Sequence, residues 1–546
     1  MGHVHKQQIA GFKMTLIPQL KEHRVLTFCP DLTCPFSAHS TIGPSGATIE
    51  RGIPIFEADQ DVYASRPDFV VGTVDKMARI SWMTESQGLF GLAGGKRTYD
   101  PPRLFIQDEL HLIAGPLGSI DGLFEVMLEH LCEVDGGRAP VIVAATATTK
   151  NYRDQVHALY ARSARVIPPP GLTIDDSFFA VKDPNSQGKT YVGVCSGGQA
   201  GATNVQTNVL SLLSHQPPAL ESAGANPDPY WTNITFFSSR RSLGLLTSAV
   251  ETTLKSRLKY MNALTGLRTG DPVPEKVRRA TRYIRSVREL TATSSEDVSR
   301  VLADLEISRD EDKCVDLCFA TSMIEVGLDV PRLGLMTVMG QPKSASQYIQ
   351  VTGRVGRHDS APGLVVTVLN SRIARDRAHY EGFSAWHERL YASVESASVT
   401  PFTTRALEKS APSVLSGMLR IIGNCKNPSQ DIAKYWSTAC NVLAIRAIKV
   451  GGSSSINLTT VLHALGLIAN RPEVAQMKWT TEEEGKNEPF AFAMGSTTSS
   501  VARPHWKILN SMRSVDQDAN MKAFPGGNPA PPNAPTNPTT EGPIDL

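Results

Sequence analysis

Gln350-Val351-Thr352-Gly353-Arg354-Val355-Gly356-Arg357 places two arginines three residues apart, each directly behind a glycine. A guanidinium stays charged and donates in a planar fork, which suits phosphate oxygens. Glycines beside the arginines let the backbone pack closely. Arginines that reach from one domain to a phosphate held by another stabilise charge in the transition state. The plain alternative is a solvated basic turn with glycines for bending. The neighbouring sequence decides between the two.

Upstream of the octet, Val315-Asp316-Leu317-Cys318-Phe319-Ala320 reads as a buried strand. It runs into Thr321-Ser322-Met323-Ile324-Glu325-Val326-Gly327-Leu328-Asp329-Val330. A strand end followed by small polar residues is where open α/β sheets bind ligands. Much earlier, Leu104-Phe105-Ile106 is a short apolar strand ending in Gln107-Asp108-Glu109-Leu110-His111. An aspartate there can hold Mg²⁺ through water, because Mg²⁺ keeps much of its hydration shell. The next glutamate can orient and deprotonate an attacking water. In isolation these four residues read equally well as a solvated acidic turn. Val141-Ile142-Val143-Ala144-Ala145-Thr146-Ala147-Thr148 is another apolar strand with a hydroxyl-rich end. Asp68 to Met77, with Gly72-Thr73, and Ile234-Thr235-Phe236-Phe237-Ser238-Ser239-Arg240 complete the series.

In this order the segments resemble the motifs of superfamily 2 helicases of the DEAH-like kind, with Leu110 where that box has alanine. The resemblance implies an α/β fold of two RecA-like lobes that bind ATP and Mg²⁺ between them. It implies that Asp108 carries the metal and Glu109 activates water, with His111 coupling this box to the octet. Gln350, Arg354 and Arg357 would complete the catalytic set. Gly327, Asp329 and Gly353 would lie near the nucleotide. Gly72, Thr73, Ser238, Arg240, Thr321 and Ser322 would grip a nucleic-acid backbone.

One family element is missing. A Gly-x-x-x-x-Gly-Lys-Ser/Thr loop wraps the phosphates in backbone N–H groups and supplies a lysine. No such run occurs in residues 1–107. Gly94-Gly95-Lys96 continues into Arg97, and Gly188-Lys189-Thr190 has Asp183 at the first glycine position. Both read as turns. The chain is expected to be the C-terminal part of a longer helicase, or else an ATPase-impaired homologue. Truncation is the preferred reading, and an in-frame loop upstream of Met1 would decide it. Loss of that strand predicts unpaired backbone and an open core in the first lobe.

The 546 residues leave room for two to four domains. Apolar content of 41% and charged content of 20% are those of a globular chain. The net charge of +2 says little about partners, but its distribution is uneven. Arg240 to Arg288 holds 12 Lys/Arg against three acids. Arg278, Arg282 and Arg285 share a face if this stretch is helical, which reads either as a track for phosphates or as a solvated face. Eight cysteines form no secreted-type framework, so a reducing cytoplasm is expected. Cys29 and Cys34 have near zinc-knuckle spacing, with His39 nearby, but lack a second pair. Zinc is not expected. No signal peptide and no membrane span are read.

The expected organisation is an incomplete first lobe over 1–225 and a second lobe over 226–370. A helical insertion is expected at 255–305. A mostly helical region over 371–516 and a disordered proline-rich tail over 517–546 would follow. Pro168-Pro169-Pro170 and Gln216 to Tyr230 read as linkers.

Gln107-Asp108-Glu109-Leu110-His111-Leu112-Ile113-Ala114-Gly115-Pro116-Leu117-Gly118-Ser119 also resembles the helicase of the DISARM bacteriophage-defence system and its relatives. So do Arg375-Asp376-Arg377-Ala378-His379-Tyr380, Val394-Glu395, Val399-Thr400-Pro401-Phe402 and Leu509 to Asp516. That resemblance implies work on DNA beside a methyltransferase and other subunits. An ATPase-inactive nucleic-acid-binding subunit and an RNA-directed DEAH-type enzyme remain open alternatives, because phosphate-gripping motifs do not separate DNA from RNA.

Overall fold

The computed structural model describes residues 53–146, 150–169, 188–197, 201–267, 282–291, 298–311, 313–325, 329–357, 361–423, 427–451, 454–481, 487–494 and 505–512, with shorter pieces of 12–50 and 171–186. Gly327, His39, Arg278 and the proline-rich tail lie outside the described residues.

Three small antiparallel pairs come first: β1 (Phe12–Ile17) with β2 (Glu22–Thr27), β3 (Ser40–Ile42) with β4 (Thr48–Glu50), and β5 (Leu92–Ala93) with β6 (Lys96–Arg97). Gly94 and Gly95 turn the last of these at φ 61° and 74°, the left-handed pair that a two-residue hairpin needs. Gly94-Gly95 is therefore a turn, and Lys96, read as part of it, opens β6. Next, β7 (Leu104–Gln107) and β8 (Val141–Ala144) pair in parallel, Leu104 opposite Val141.

The second lobe is one six-stranded parallel sheet. Its strands are β9 (Lys189–Ser196), β10 (Asn233–Phe237), β11 (Val287–Leu290), β12 (Leu317–Ala320), β13 (Leu335–Met339) and β14 (Gly363–Asn370). They lie in the order β11-β12-β10-β13-β14-β9. The central strands β10, β12 and β13 are buried at every residue, because helices cover both faces of a parallel sheet. Their near-continuous apolar runs follow from that.

Three expectations about this lobe change. It does not begin at 226: β9 pairs with β14 along its whole length, so the sheet already includes residue 189. Gln216 to Tyr230 is not a linker, since it carries helices Pro217–Ser222 and Asp228–Trp231 with proline in their first turns. Proline is tolerated there because the missing N–H has no intrahelical partner to lose. Nor is 255–305 a helical insertion throughout. Helices Lys255–Leu267 and Val298–Glu306 flank β11, which forms an edge of the sheet itself.

The basic stretch changes accordingly. Arg282 and Arg285 lie in extended chain leading into β11, not on a helix. Arg282 is buried, stacked on Trp231 with its guanidinium 4.1 Å from the ring centroid. It donates to Asp316 Oδ1 at 3.1 Å. A buried guanidinium requires such pairing, so this arginine serves the core and not a phosphate track.

The C-terminal region is helical over Thr404–Gly423, Pro428–Val450 and Ser454–Ala469. It also holds a three-stranded parallel sheet of β15 (Lys478–Thr480), β16 (Pro489–Ala493) and β17 (Trp506–Ile508). It is not a separate body. Met127, Leu123 and Phe124 of helix Gly115–Glu133 share one core with Leu415, Leu419, Trp479 and Trp506. Trp82 Nε1 donates to Leu509 O at 2.8 Å, and Arg420 to Ser81 O at 2.8 Å. The connection from the second lobe, residues 394–401, runs as a strap. Glu395 accepts from Ala345 N in the second lobe. Ser398 O then accepts from Gly115 N at 2.7 Å, and Ser119 Oγ from Thr400 N at 3.0 Å.

Helix Gly115–Glu133 also carries buried charge. Asp121 and Glu125 lie one turn apart, followed by Glu129, whose carboxylate takes Arg162 at 2.8 Å and Arg446. Burial pushes the Asp121 carboxyl up to about 7. Burial, then the neighbouring Asp121, also raises Glu125. A carboxyl whose folded pKa exceeds its unfolded value of about 3.9 favours the fold at low pH. That advantage is lost as pH rises through about 7. Asp121→Asn is therefore expected to flatten the decline in denaturant midpoint across that interval. An unchanged slope, followed by circular dichroism, would refute the assignment.

Candidate functional site

The acidic box sits where β7 ends. Asp108 Oδ1 accepts from Glu109 N at 2.9 Å, and Glu109 takes φ 52°, a left-handed conformation uncommon for a side-chain-bearing residue. The buried Gln155 amide donates to Leu110 O and Ile113 O at 2.9 and 2.8 Å, fixing the turn that follows. Leu110 N donates to Ala145 O at 2.9 Å, tying the box to the end of β8.

His111 joins the lobes. Its Nε2 meets the side-chain amide nitrogen of Gln350. Nδ1 lies 3.2 Å from Thr146 Oγ1 and 3.4 Å from Glu109 Oε2. Burial lowers the His111 pKa, while Glu109 and Asp108 pull the other way. The neutral ring thus connects the hydroxyl after β8, the acidic box and the octet. Beside it opens a cleft of ≈ 350 Å³ whose walls include His111, Ser344, Gln347, Gln350 and Glu395.

Helix Ala345–Thr352 positions Gln350 and is secured at both ends. Ser344 Oγ accepts from Gln347 N at 3.1 Å, the usual N-cap bond. Glu395 adds a carboxylate on Ala345 N at 2.9 Å, where the helix dipole favours negative charge. At the other end Lys189 Nζ donates to Thr352 O at 3.1 Å. Beyond it, Arg357 donates to Asp329 Oδ1 at 2.5 Å and to Gly353 O at 3.0 Å. Arg354 is half-buried in the turn between.

Residues 275–359 match the helicase conserved C-terminal domain. The DISARM protein DrmA of Bacillus paralicheniformis is 35% identical over 441 residues, which is 73% of this chain and 37% of that protein. The chain carries a helicase C-terminal domain. It spans little more than a third of the length of the curated relative it matches. Among solved structures, it is similar to the helicase MrfA bound to DNA and AMPPNP, at 16% identity and a TM-score of 0.45 over 66% of this chain and 42% of that one. The Mycobacterium smegmatis helicase Lhr bound to ssDNA and AMP-PNP gives 16% and 0.42 over 67% and 40%.

The remaining residues singled out by the sequence resemblance divide by exposure. Ser238 and Arg240 are exposed just beyond β10. Ser322 is exposed after β12, the neighbouring parallel strand, so these residues share one sheet edge. Thr321 is buried, its backbone N–H donating to Leu290 O at 3.2 Å. Gly72 and Thr73 are exposed, but in an irregular stretch and not at a strand end. Among the described residues no three His, Cys, Asp or Glu side chains assemble as a metal site, and Cys29 and Cys34 are both half-buried. Among them, too, no helix is long and apolar enough to cross a membrane.

Sequence reasoning missed the supports of this helicase helix. Lys189 read as part of a turn, yet it opens β9 beside the octet. Tyr348 Oη lies 3.0 Å from both Thr367 Oγ1 and His387 Nε2. His387 Nδ1 donates to Phe383 O at 2.8 Å, which leaves Nε2 to accept from Tyr348. Of these supports only Glu395 carried a signal, through the resemblance that includes Val394-Glu395. Glu395→Ala is expected to cost about 1–2 kcal/mol through the lost N-terminal bond. Chemical denaturation of the variant checks this, and a change below about 0.3 kcal/mol would contradict it.

Proposed function

We propose that this chain carries the second motor lobe, and part of the first, of an ATP-dependent helicase or translocase acting on DNA in bacteriophage defence. The observation that carries this reading is the His111–Gln350 junction. It brings the acidic box and the arginine octet, far apart in sequence, to one inter-lobe seam. The similarity to the DISARM protein DrmA supports the defence setting, and the sequence resemblance implies DNA.

The residues present fit a hydrated Mg²⁺. Asp108 is exposed, and Oδ1 is the oxygen that Glu109 N engages, leaving Oδ2 toward solvent. Mg²⁺ uses few protein carboxylates and keeps several waters. When bound, it would neutralise charge building on the phosphates. Glu109 stands next in line, 41% exposed, to accept the proton of an attacking water. Gln350, held by His111, orients that water or the phosphate. Arg354 and Arg357 stabilise charge from the second lobe, with Asp329 aiming Arg357. Thr73, Ser238, Arg240, Thr321 and Ser322 hold the strand. A lid of phosphate-binding backbone must come from outside residues 1–107, which hold no such loop.

That same gap favours a second reading, an ATPase-inactive nucleic-acid-binding subunit. Fluorescence anisotropy with labelled DNA and RNA oligonucleotides, alongside ATP hydrolysis, separates the readings. Preferential DNA binding that weakens steeply with salt, with ATP hydrolysis on completing the first lobe, is expected. RNA-only binding, or no hydrolysis by the completed protein, would overturn the DNA motor.

A further inference from the structure

The loops that follow β13 and β14 carry cations to which the sequence resemblance gives no role. Lys343 lies in the loop after β13, and Arg372 and Arg375 lie just after β14, all three exposed. These strands run parallel in the order β10-β13-β14. Their loops therefore open on the sheet edge that holds Ser238 and Arg240. Residues 238–242, 340–346 and 370–375 contain five Lys/Arg and no Asp or Glu. Among the described residues, none of the Lys343, Arg372 and Arg375 side chains stands in an ion pair. Glu395, which reaches this edge, is already bonded to Ala345 N.

One buried carboxylate holds these loops together. Asp376, 1% exposed, comes from the first turn of helix Ala374–Glu381. Its Oδ1 accepts from Gln341 N at 3.1 Å and its Oδ2 from Asn370 N at 3.0 Å. A single side chain thus ties the loop after β13 to the end of β14. Gly340 makes room for it: at φ 78°, a Cβ there would stand 3.3 Å from Asp376 Oδ2. On the far side, Ser371 N donates to Ser196 Oγ at 3.4 Å. Burying a carboxylate is costly unless hydrogen bonds meet it. Here that charge sets two cationic loops side by side.

We propose that these loops form a phosphate-binding rim, which extends a nucleic-acid path from β10 across β13 and β14. Lys343, Arg372 and Arg375 contact backbone phosphates, and Asp376 is the positioning residue that sets them. The proposal rests on the reading of the chain as a nucleic-acid motor and lengthens the path given there to Ser238, Arg240 and Ser322. Neighbouring strands lie roughly 4.8 Å apart. From β10 to β14 the rim thus adds about 10 Å, room for roughly three nucleotides of one strand. A row of cations without interleaved acids suits a regularly spaced polyanion. Such contacts set affinity and register and carry no base information.

The test uses this chain with a fluorescein-labelled DNA duplex bearing a single-stranded tail, and with RNA of the same sequence. Anisotropy is followed across a salt series, and circular dichroism checks the fold of each variant. The combined substitutions Lys343→Gln, Arg372→Gln and Arg375→Gln should weaken binding at least about ten-fold at low salt and reduce the slope of log K against log salt by about 2. Arg103→Gln, Arg138→Gln and Arg165→Gln together remove the same charge from exposed positions of the first lobe. They should leave the slope within about 0.5 of the parental value. Asp376→Asn separates organisation from net charge. It removes an acid, so a general electrostatic effect would tighten binding, whereas loosened loops weaken it by roughly three-fold or more. If that buried variant fails to fold, the surface triple variant decides. An unchanged slope in the rim variant overturns the proposal, as does an equal loss in the first-lobe control or tighter binding by folded Asp376→Asn. The motor reading fails separately. Binding of RNA alone, with the same loss of slope, keeps the rim and removes DNA as the substrate. Binding of DNA with an unchanged slope keeps the reading and removes the rim. A parental chain that binds neither removes both.

Discussion

Arg354→Ala, in the helicase with a complete nucleotide site, is expected to lower nucleic-acid-stimulated ATP hydrolysis by about 10³-fold or more. The loss should fall on kcat and leave KM for ATP within a few-fold, because a finger acts on charge that develops only in the transition state. The geometry behind this expectation is the octet's attachment to the opposite lobe. Gln350 is held by His111, and the turn bearing Arg354 begins only two residues later. Arg357 is already engaged by Asp329 and Gly353 O, so it steadies the turn. Steady-state hydrolysis with saturating DNA is the measurement. If Arg354→Ala hydrolysed ATP at the parental rate, the arginine would have no part in the chemistry.

The second large effect is on stability. Gly356 lies at φ 61°, and a Cβ there would stand 2.4 Å from Gly363 Cα and 2.6 Å from its nitrogen. Both obstacles are backbone, so no rotamer change relieves them. Gly356 N also donates to Leu333 O at 2.7 Å, which holds the turn in place. Left-handed backbone costs a side-chain-bearing residue roughly 1–2 kcal/mol, and overpacking adds about 1–3 kcal/mol. Gly356→Ala should therefore destabilise the second lobe by about 3 kcal/mol or more. Gly244→Ala provides the comparison. That glycine lies within helix Arg240–Ala249 with nothing near its would-be Cβ, and alanine there should be neutral or stabilising by up to about 1 kcal/mol. Denaturation of both variants tests the contrast, and similar midpoints would defeat it.

The second lobe was legible wherever burial wrote itself into composition. Ile234–Phe237 and Leu317–Ala320 lie under helices on both faces, so they are apolar almost without interruption. β11 was not legible, because an edge strand tolerates Arg288 and Glu289 and its composition matches the basic helices around it. Arg282 misled for a related reason. Helical spacing of charges says nothing about burial when the partner, Asp316, is 34 residues away. The His111–Gln350 contact was readable only through family resemblance, since 239 residues separate the two. Lys189 and Glu395 act on the ends of a helix from strand and strap, and no local pattern marks such long-range capping.

The strap at 394–401 constrains how this machine can move. Glu395 bonds to the second lobe, and the next residue, Ser396, already bridges to Lys150 of the first. Helices Thr404–Gly423, Pro428–Val450 and Ser454–Ala469 and strands β15–β17 share a common core with helix Gly115–Glu133. The C-terminal helices therefore travel as cargo of the first lobe, not as a third independent part. The strap thus passes from one lobe to the other beside the N-terminus of helix Ala345–Thr352, which Glu395 caps.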